Sequence, residues 1–250
     1  MSQISAVIIT YNEERNIERC LTSLQSVADE IIVIDSFSTD RTQEICKSYN
    51  AKFFQRKWDD FSAAKNFGNQ KATYDWILSL DADEALSDEL KKNILEIKNK
   101  NAAGNYKFNR LTNYCGKWIR HCGWYPDTKT RLFLRTQCNW EGTIHERLVV
   151  QNNASIHFLK GDILHYSYAT PQEHIAKQNK YAEASARQMQ AKGKSSSFFH
   201  IYLKPIVKFF RDYIFHLGVL DGKEGFTISK ISAYAVYRKY KQLSELQRSH

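Results

Sequence analysis

The residues of this chain best equipped for chemistry gather at the end of a short apolar run. Trp76-Ile77-Leu78-Ser79-Leu80 leads directly into Asp81-Ala82-Asp83-Glu84, three carboxylates in four positions. Two carboxylates one residue apart can share a hard divalent cation, and that cation can hold a diphosphate. An acidic triplet alone is equally a solvated turn, so its weight comes from its company upstream. Tyr11-Asn12-Glu13, Asp35 with Asp40, and Lys65 stand at or beyond the ends of earlier elements. A nucleotide needs acceptors for its base and ribose hydroxyls, a cation near its phosphates, and a metal to neutralise the diphosphate. Glu13 and Asp35 suit the first need, Lys65 the second, and Asp81 with Asp83 the third.

Those residues need a sheet to bring them to one rim. Ile4 to Thr10 and Glu30 to Asp35 are β-branched, apolar runs of the kind found in central parallel strands. Lys52 to Gln55 makes a shorter third strand, and Trp76 to Asp81 the fourth. Helical spacing lies between them over 16–24, about 40–49 with candidate caps at Ser38-Thr39-Asp40, and 62–72 capped by Ser62. This alternation predicts a doubly wound parallel sheet with right-handed crossovers. Ligands of such sheets bind just outside the carboxyl ends of the strands, where these residues fall. Ser87 to Lys98 reads as an amphipathic helix with Leu90, Ile94, Leu95 and Ile97 inward and Lys91, Lys92, Glu96 and Lys98 outward.

Beyond Gly104 the texture changes. Asn105 to Leu111 and Arg131 to Arg135 alternate like strands, around an aromatic, basic loop from Trp118 to Asp127. Ser155 to Leu159 reads as a strand, Leu164-His165-Tyr166 follows, and Pro171 opens a polar helix reaching about Lys192. After a linker-like stretch at 193–197 the chain is aromatic with interleaved cations through Leu217, and a basic helix closes it over about 229–246. Such a segment suits a membrane interface, its apolar face among acyl chains and its cations among anionic headgroups. The alternative is a helix packed on the catalytic domain or on a partner subunit.

The net charge of +9 over 250 residues, concentrated after Lys107, suits an anionic partner. Five cysteines without a CxxC spacing suggest neither a disulfide framework nor a zinc site, and a reducing cytoplasm fits them. Cys20 and Cys46 fall at apolar helix positions and read as small core residues. Neither a signal peptide nor an apolar run of spanning length is present. No G-x-G-x-x-G follows the first strand, where Thr10-Tyr11-Asn12-Glu13-Glu14-Arg15 stands, which counts against a dinucleotide-dependent oxidoreductase. A P-loop is absent as well. A nucleic-acid-binding module would use the positive charge, but Asp81, Asp83 and Glu84 at the cleft would repel a phosphate backbone.

The segments IITYNEERNIERCLTSL, IIVIDSFSTDRT, KNFG and WILSLDADE resemble the motif series of family 2 inverting glycosyltransferases of the GT-A fold. GWYPDTKTRLF (123–133), GTIHERL (142–148), LHYSYAT (164–170) and FFRDYIFHLGVLDGKEGF (209–226) resemble a narrower group, the bacterial glucosyltransferases of the lipopolysaccharide inner core. The resemblance implies a mostly parallel α/β GT-A sheet with helices on both faces and a C-terminal helical tail. It implies a domain over 1–192, divided into a nucleotide-sugar half (1–100) and an acceptor half (101–192), with the tail over 198–250. Thr10, Tyr11, Glu13 and Asp35 would line a uridine pocket, with Lys65 near the base or diphosphate. Asp83 would be the main ligand of Mg²⁺ or Mn²⁺, and Asp81 would contact ribose or metal-bound water. His165 would complete the metal or phosphate site, or else be a buried, satisfied histidine.

Inverting transfer requires one carboxylate near the acceptor hydroxyl, plus a metal to stabilise the departing diphosphate. Glu146, with His145 orienting it, is the expected base, and Asp127 is the competitor. Structural roles are open to both: Asp127 as a loop-closing cap, Glu146 as a partner of Arg131 or Arg147. Trp124, Tyr125 and Trp140 offer flat faces for a sugar, though such aromatics can equally be core. Arg120, Lys129 and Arg131 suit an anionic acceptor. The expected partners are therefore a UDP-sugar donor, a lipid-linked saccharide acceptor and an anionic membrane surface, with no nucleic acid. The expected place is cytoplasmic, peripheral at the inner face of the cytoplasmic membrane.

Overall fold

The computed structural model describes residues 1–142, 146–151 and 154–248. The chain forms two compact units, one of residues 1–110 and 127–166, the other of 111–126 and 167–250. This division differs from a boundary between 192 and 198, because the helix that opens at Pro171 belongs with the tail.

The first unit is built on β1 (Ile4–Thr10), β2 (Glu30–Asp35), β3 (Lys52–Gln55) and β4 (Trp76–Asp81), followed by β5 (Glu84–Leu86). Next come β6 (Asn105–Tyr114), whose first six residues lie in this unit, and in the second unit β7 (Lys117–Ile119). The first unit resumes with β8 (Asp127–Leu134), β9 (Cys138–Glu141), β10 (Arg147–Val150) and β11 (Ile156–Tyr168), most of which it contains. The main sheet runs β3-β2-β1-β4-β8-β6-β11-β5, and β9 with β10 makes a separate two-stranded ribbon. From β3 to β4 the neighbours are parallel, whereas β8 joins β4 antiparallel, as β6 joins β8 and β5 joins β11.

All seven residues of β1 are buried, as a central strand covered on both faces requires. Ile4, Ala6 and Ile8 face one layer, with Ile17 and Leu21 of α1 (Ile17–Leu24), Cys46 of α2 (Thr42–Ser48), and Leu90 and Ile94 of α4 (Asp88–Asn99). Val7 and Ile9 face the opposite layer, with Ala64 of α3 (Phe61–Lys71) and Trp140 of β9. The two-residue period of the strand thus assigns each helix its face. Gly68 permits the tightest of these approaches, since a Cβ there would lie 2.4 Å from Val7 Cγ1.

Several local expectations change. The cap of α3 is Asp60, whose carboxylate accepts from the Ala63 amide at 2.8 Å. Ser62 instead donates to the Gly142 carbonyl at 2.6 Å. Lys98 is turned inward, donating to the Val27 carbonyl at 2.9 Å and pairing with Asp29 at 2.7 Å. The segments expected at 155–159 and 164–166 belong to the single strand β11. Cys20 and Cys46 are buried free thiols, as expected of core positions.

In the second unit, Thr112–Tyr114 pairs antiparallel with β7. α5 (Pro171–Ala191) is capped by Thr170, whose hydroxyl accepts from the Glu173 amide at 3.2 Å. A π-helical turn at Phe199–Leu203 leads into α6 (Lys204–Phe210), a second π turn at Arg211–Phe215 follows, and α7 (Gly222–Arg248) closes the chain. α7 begins well before residue 229, where its apolar pattern becomes visible in the sequence. No helix among the described residues is long and apolar enough to cross a membrane.

Candidate active site

The parallel strands end together: Thr10 is in register with Asp35, and Ile9 with Asp81. The loops after β1 and β2 are stitched to one another. The Asn12 side-chain oxygen accepts from the Thr39 amide at 2.8 Å, and the Asn12 amide donates to the Ser38 hydroxyl at 2.8 Å. Asp40 accepts from the Glu14 amide at 3.0 Å and from the Thr42 hydroxyl at 2.6 Å. Asp35 is fully buried and takes the Ser38 amide at 2.9 Å and its hydroxyl at 2.5 Å. Glu13 accepts from the Asn16 side chain at 2.8 Å. Thr10 is buried, with no hydrogen-bond partner for its hydroxyl among the described residues, while Tyr11 is 58% exposed. The rim therefore offers a rigid loop pair, one uncommitted hydroxyl and an accessible aromatic ring.

Beside this rim runs a chain of alternating charges. Lys65, fully buried on α3, lies 3.0 Å from Asp81 Oδ1 and 3.0 Å from Glu146 Oε1. Arg131 of β8 reaches Asp81 Oδ2 at 3.0 Å and Glu84 Oε1 at 3.4 Å. Arg110 of β6 continues from Glu84 at 3.4 Å to Asp127 at 2.7 Å, and Lys129 closes on Asp127 at 2.9 Å. Four carboxylates and four cations thus alternate from Glu146 to Lys129, which leaves none of these buried charges uncompensated. Burial alone would push the Asp81 carboxyl up, but Lys65 and Arg131 hold it far below the usual carboxylate range. For Asp127 the upward push of burial is likewise outweighed by Lys129 and Arg110. Burial would lower the Arg131 guanidinium, yet Glu84 and Asp81 keep it above its ordinary value.

Trp140 supports this chain from below. Its ring centroid lies 4.6 Å from Lys65 Nζ and 5.6 Å from Arg131 Cζ, both within cation–π range. The Asn66 side chain holds both backbone groups of Trp140, donating to its carbonyl at 2.9 Å and accepting from its amide at 3.0 Å. The sequence suggests an acceptor surface for Trp140 and Arg131, but at 5% and 4% exposed both are placed in the interior. Trp124 and Tyr125 belong to the second unit. There Trp124 packs edge-on against Tyr114 at 5.8 Å, and the Arg120 guanidinium stands 5.5 Å from the Tyr125 ring centroid. Glu146 pairs with Lys65 rather than with Arg131 or Arg147. His145 lies outside the described residues.

Asp83 and His165 form a separate pair. Their Oδ2 and Nε2 atoms are 3.2 Å apart, and the Tyr166 amide fixes the turn by donating to the Asp83 carbonyl at 2.9 Å. Adjacent ligands of an octahedral ion with bonds of about 2.1 Å are roughly 3 Å apart, so this pair fits one edge of such a site. Among the described residues no group of three or more His, Cys, Asp or Glu side chains could hold a metal. Two protein donors still fit Mg²⁺, which is commonly held by one or two side chains together with substrate phosphates and water. Asp81 has both oxygens engaged by cations, Oδ1 by Lys65 and Oδ2 by Arg131.

Arg110 and the burial of Glu84 are the parts of this cluster that the sequence did not signal. Arg110 lies in an alternating polar strand where nothing distinguishes it from its neighbours. Glu84 is 1% exposed, and besides the two arginines it accepts from the Asp81 amide at 3.0 Å, which makes it the brace of the Asp81 turn.

The family model described as glycosyl transferase family 2 matches residues 5–151. An uncharacterised glycosyltransferase of Rickettsia bellii is 33% identical over 256 residues, covering 98% of this chain and 87% of that protein. The lipopolysaccharide core biosynthesis glycosyltransferase LpsC of Rhizobium meliloti is 26% identical over 256 residues, covering 95% of this chain and 93% of its own. The crystal structure of S. aureus TarS 1-349 aligns over 99% of this chain and 91% of that one, at 14% identity and a TM-score of 0.47.

Proposed function

The chain belongs to glycosyl transferase family 2, and from that premise we propose that it is a metal-dependent, inverting enzyme moving glucose from UDP-glucose onto an inner-core saccharide of lipopolysaccharide or lipooligosaccharide. It is a glycosyltransferase with the GT-A arrangement, a sheet with a parallel nucleotide half and helices on both faces. The observation that carries the proposal is the Asp83–His165 pair at 3.2 Å just beyond β4, together with Lys65, which joins Asp81 to Glu146 at 3.0 Å each. In this reading the Asp83–His165 pair takes the cation and Glu146 takes the proton.

In this proposal Thr10, Tyr11, Glu13 and Asp35 line the uridine pocket and Asp81 faces the ribose. Asp83 and His165 would hold Mg²⁺ or Mn²⁺, which would supply positive charge to the diphosphate. The acceptor hydroxyl oxygen bonds to the anomeric carbon as the bond from that carbon to the diphosphate oxygen breaks. The bonding pair leaves on the UDP, and the hydroxyl proton passes to Glu146. A base works best when its pKa lies near the working pH. Asp127 is held low by Lys129 and Arg110, and in this proposal it serves to anchor Arg110. Lys65 orients Glu146 and ties it to Asp81. The acceptor class draws support from the name of the Rhizobium relative. The cationic, aromatic tail supports a lipid-linked acceptor met at an anionic membrane surface.

The test is UDP release by the purified full chain with a panel of UDP-sugars and an inner-core acceptor. We expect UDP-glucose to be preferred and Glu146→Gln to lower kcat by about 10²–10⁴-fold without weakening UDP binding. Full activity of Glu146→Gln beside an inactive Asp127→Asn would move the base to Asp127. UDP release with no member of the panel would overturn the donor assignment.

A further inference from the structure

Of 23 large apolar side chains exposed among the described residues, 14 fall between Phe198 and Tyr234, all in the second unit. Scattered exposed apolar residues are ordinary, but a concentration of this kind marks an interaction surface. Within it, α6 and α7 enclose an open groove of about 400 Å³, lined by residues including Ile206, Phe209, Phe210, Ala233 and Tyr234. Lys230 is the single charged residue of that lining. It is exposed and has no hydrogen-bond or ion-pair partner among the described residues. The neighbouring cations are differently placed, with Lys208 and Arg211 paired to Asp212 and Lys204 bonded to the Tyr240 hydroxyl at 3.1 Å.

We propose that this groove is a binding site for one acyl chain of an anionic lipid, whose headgroup pairs with Lys230. The proposal deepens the membrane-surface part of the function above and rests on it. Charge decides between the possible occupants. A second copy of the chain docking on this face would set one cationic patch, with Lys204 and Lys230, opposite another copy of itself, and like charges repel. An anionic lipid satisfies the groove and the cation together, since its chain removes apolar wall from water while its headgroup meets an ammonium group. The aromatic side chains flanking the groove, Tyr202 and Tyr234, are half exposed and suit the headgroup level of a bilayer.

The experiment has two arms on the full chain. Co-sedimentation with vesicles of phosphatidylglycerol, against phosphatidylcholine, reads membrane association. Titration with dihexanoyl-phosphatidylglycerol below its micelle threshold reads the groove itself. We expect saturable 1:1 binding of this monomeric lipid, weakened at least about tenfold by Ala233→Trp, which fills the groove, and by Ile206→Asp, at an exposed position that tolerates the change. Lys230→Glu should abolish the preference over the choline lipid. Absent monomer binding, or binding unchanged in both groove variants, overturns the groove even if vesicles still sediment the protein. Saturable monomer binding without vesicle association keeps the groove and overturns the membrane surface. A concentration-dependent dimer dissociated by Ile206→Asp assigns the face to a second copy and overturns the proposal.

Discussion

Replacing Lys65 by Met removes the cation that joins Glu146 to Asp81 while roughly keeping its volume. At 3.0 Å and an effective dielectric constant near 20, each of its two ion pairs has a Coulomb energy of about 5.5 kcal/mol before desolvation. Breaking a buried pair typically costs about 3–5 kcal/mol. Here the loss is smaller, because Asp81 keeps Arg131 and because the Asp81 and Glu146 side chains remain 26% and 20% exposed. We expect Lys65→Met and Asp81→Asn each to cost roughly 2–3 kcal/mol in urea unfolding at pH 7, with unchanged m-values. The double variant has neither charge left to strand, so it should fall short of the sum by about 1–3 kcal/mol. Additivity within about 0.5 kcal/mol would refute the reasoning, because it would mean that the two groups do not stabilise one another.

Gly68→Ala should destabilise the protein by roughly 1–3 kcal/mol despite the ~1 kcal/mol gain in helix propensity, since the new methyl would stand 2.4 Å from the immobile Val7 side chain; thermal unfolding reads the sign. Burial would raise the carboxyl of Glu30, but Lys52 at 2.6 Å and the Ser5 and Thr73 donors bring it down to about 2 from an ordinary 4.5. Because the folded pKa is the lower one, this contribution is fully present above pH ~4.5 and is lost as pH falls toward about 2. Glu30→Gln should cost roughly 1–3 kcal/mol at pH 7 and flatten the acid limb of a stability–pH profile in that window.

The parallel half of the fold was legible because its strands are continuous apolar runs that stop at acidic or polar residues. β1, β2, β3 and β4 end where Thr10, Asp35, Gln55 and Asp81 end them. The antiparallel half was harder to see, since half-exposed strands carry polar residues that resemble turns. Lys160-Gly161-Asp162 looks like a break, yet β11 runs through it: Gly161, at φ +100°, lets the strand pass within 2.5 Å of the Leu90 amide, measured from where a Cβ would stand. The positions of Asp81, Asp83 and Lys65 followed from topology. What Lys65 and Arg131 touch did not, because the partners Glu146 and Glu84 come from separate stretches of chain. Lys98 shows the same limit, since a long charged side chain on a helix reads as outward until its acceptor, the Val27 carbonyl, is in place.

The central claim is that Asp83 and His165 hold a divalent cation that binds UDP at the end of β4. A thermal-shift titration with UDP, with and without Mn²⁺, on wild type and Asp83→Ala tests it most directly. A ligand at about 100 times its Kd adds roughly 2.7 kcal/mol to the native state, an upward shift of about 5–10 °C for a chain of this size. That shift is expected in wild type only when UDP and Mn²⁺ are present together, and none is expected in Asp83→Ala. An equal shift without metal, or an undiminished one in Asp83→Ala, would contradict it.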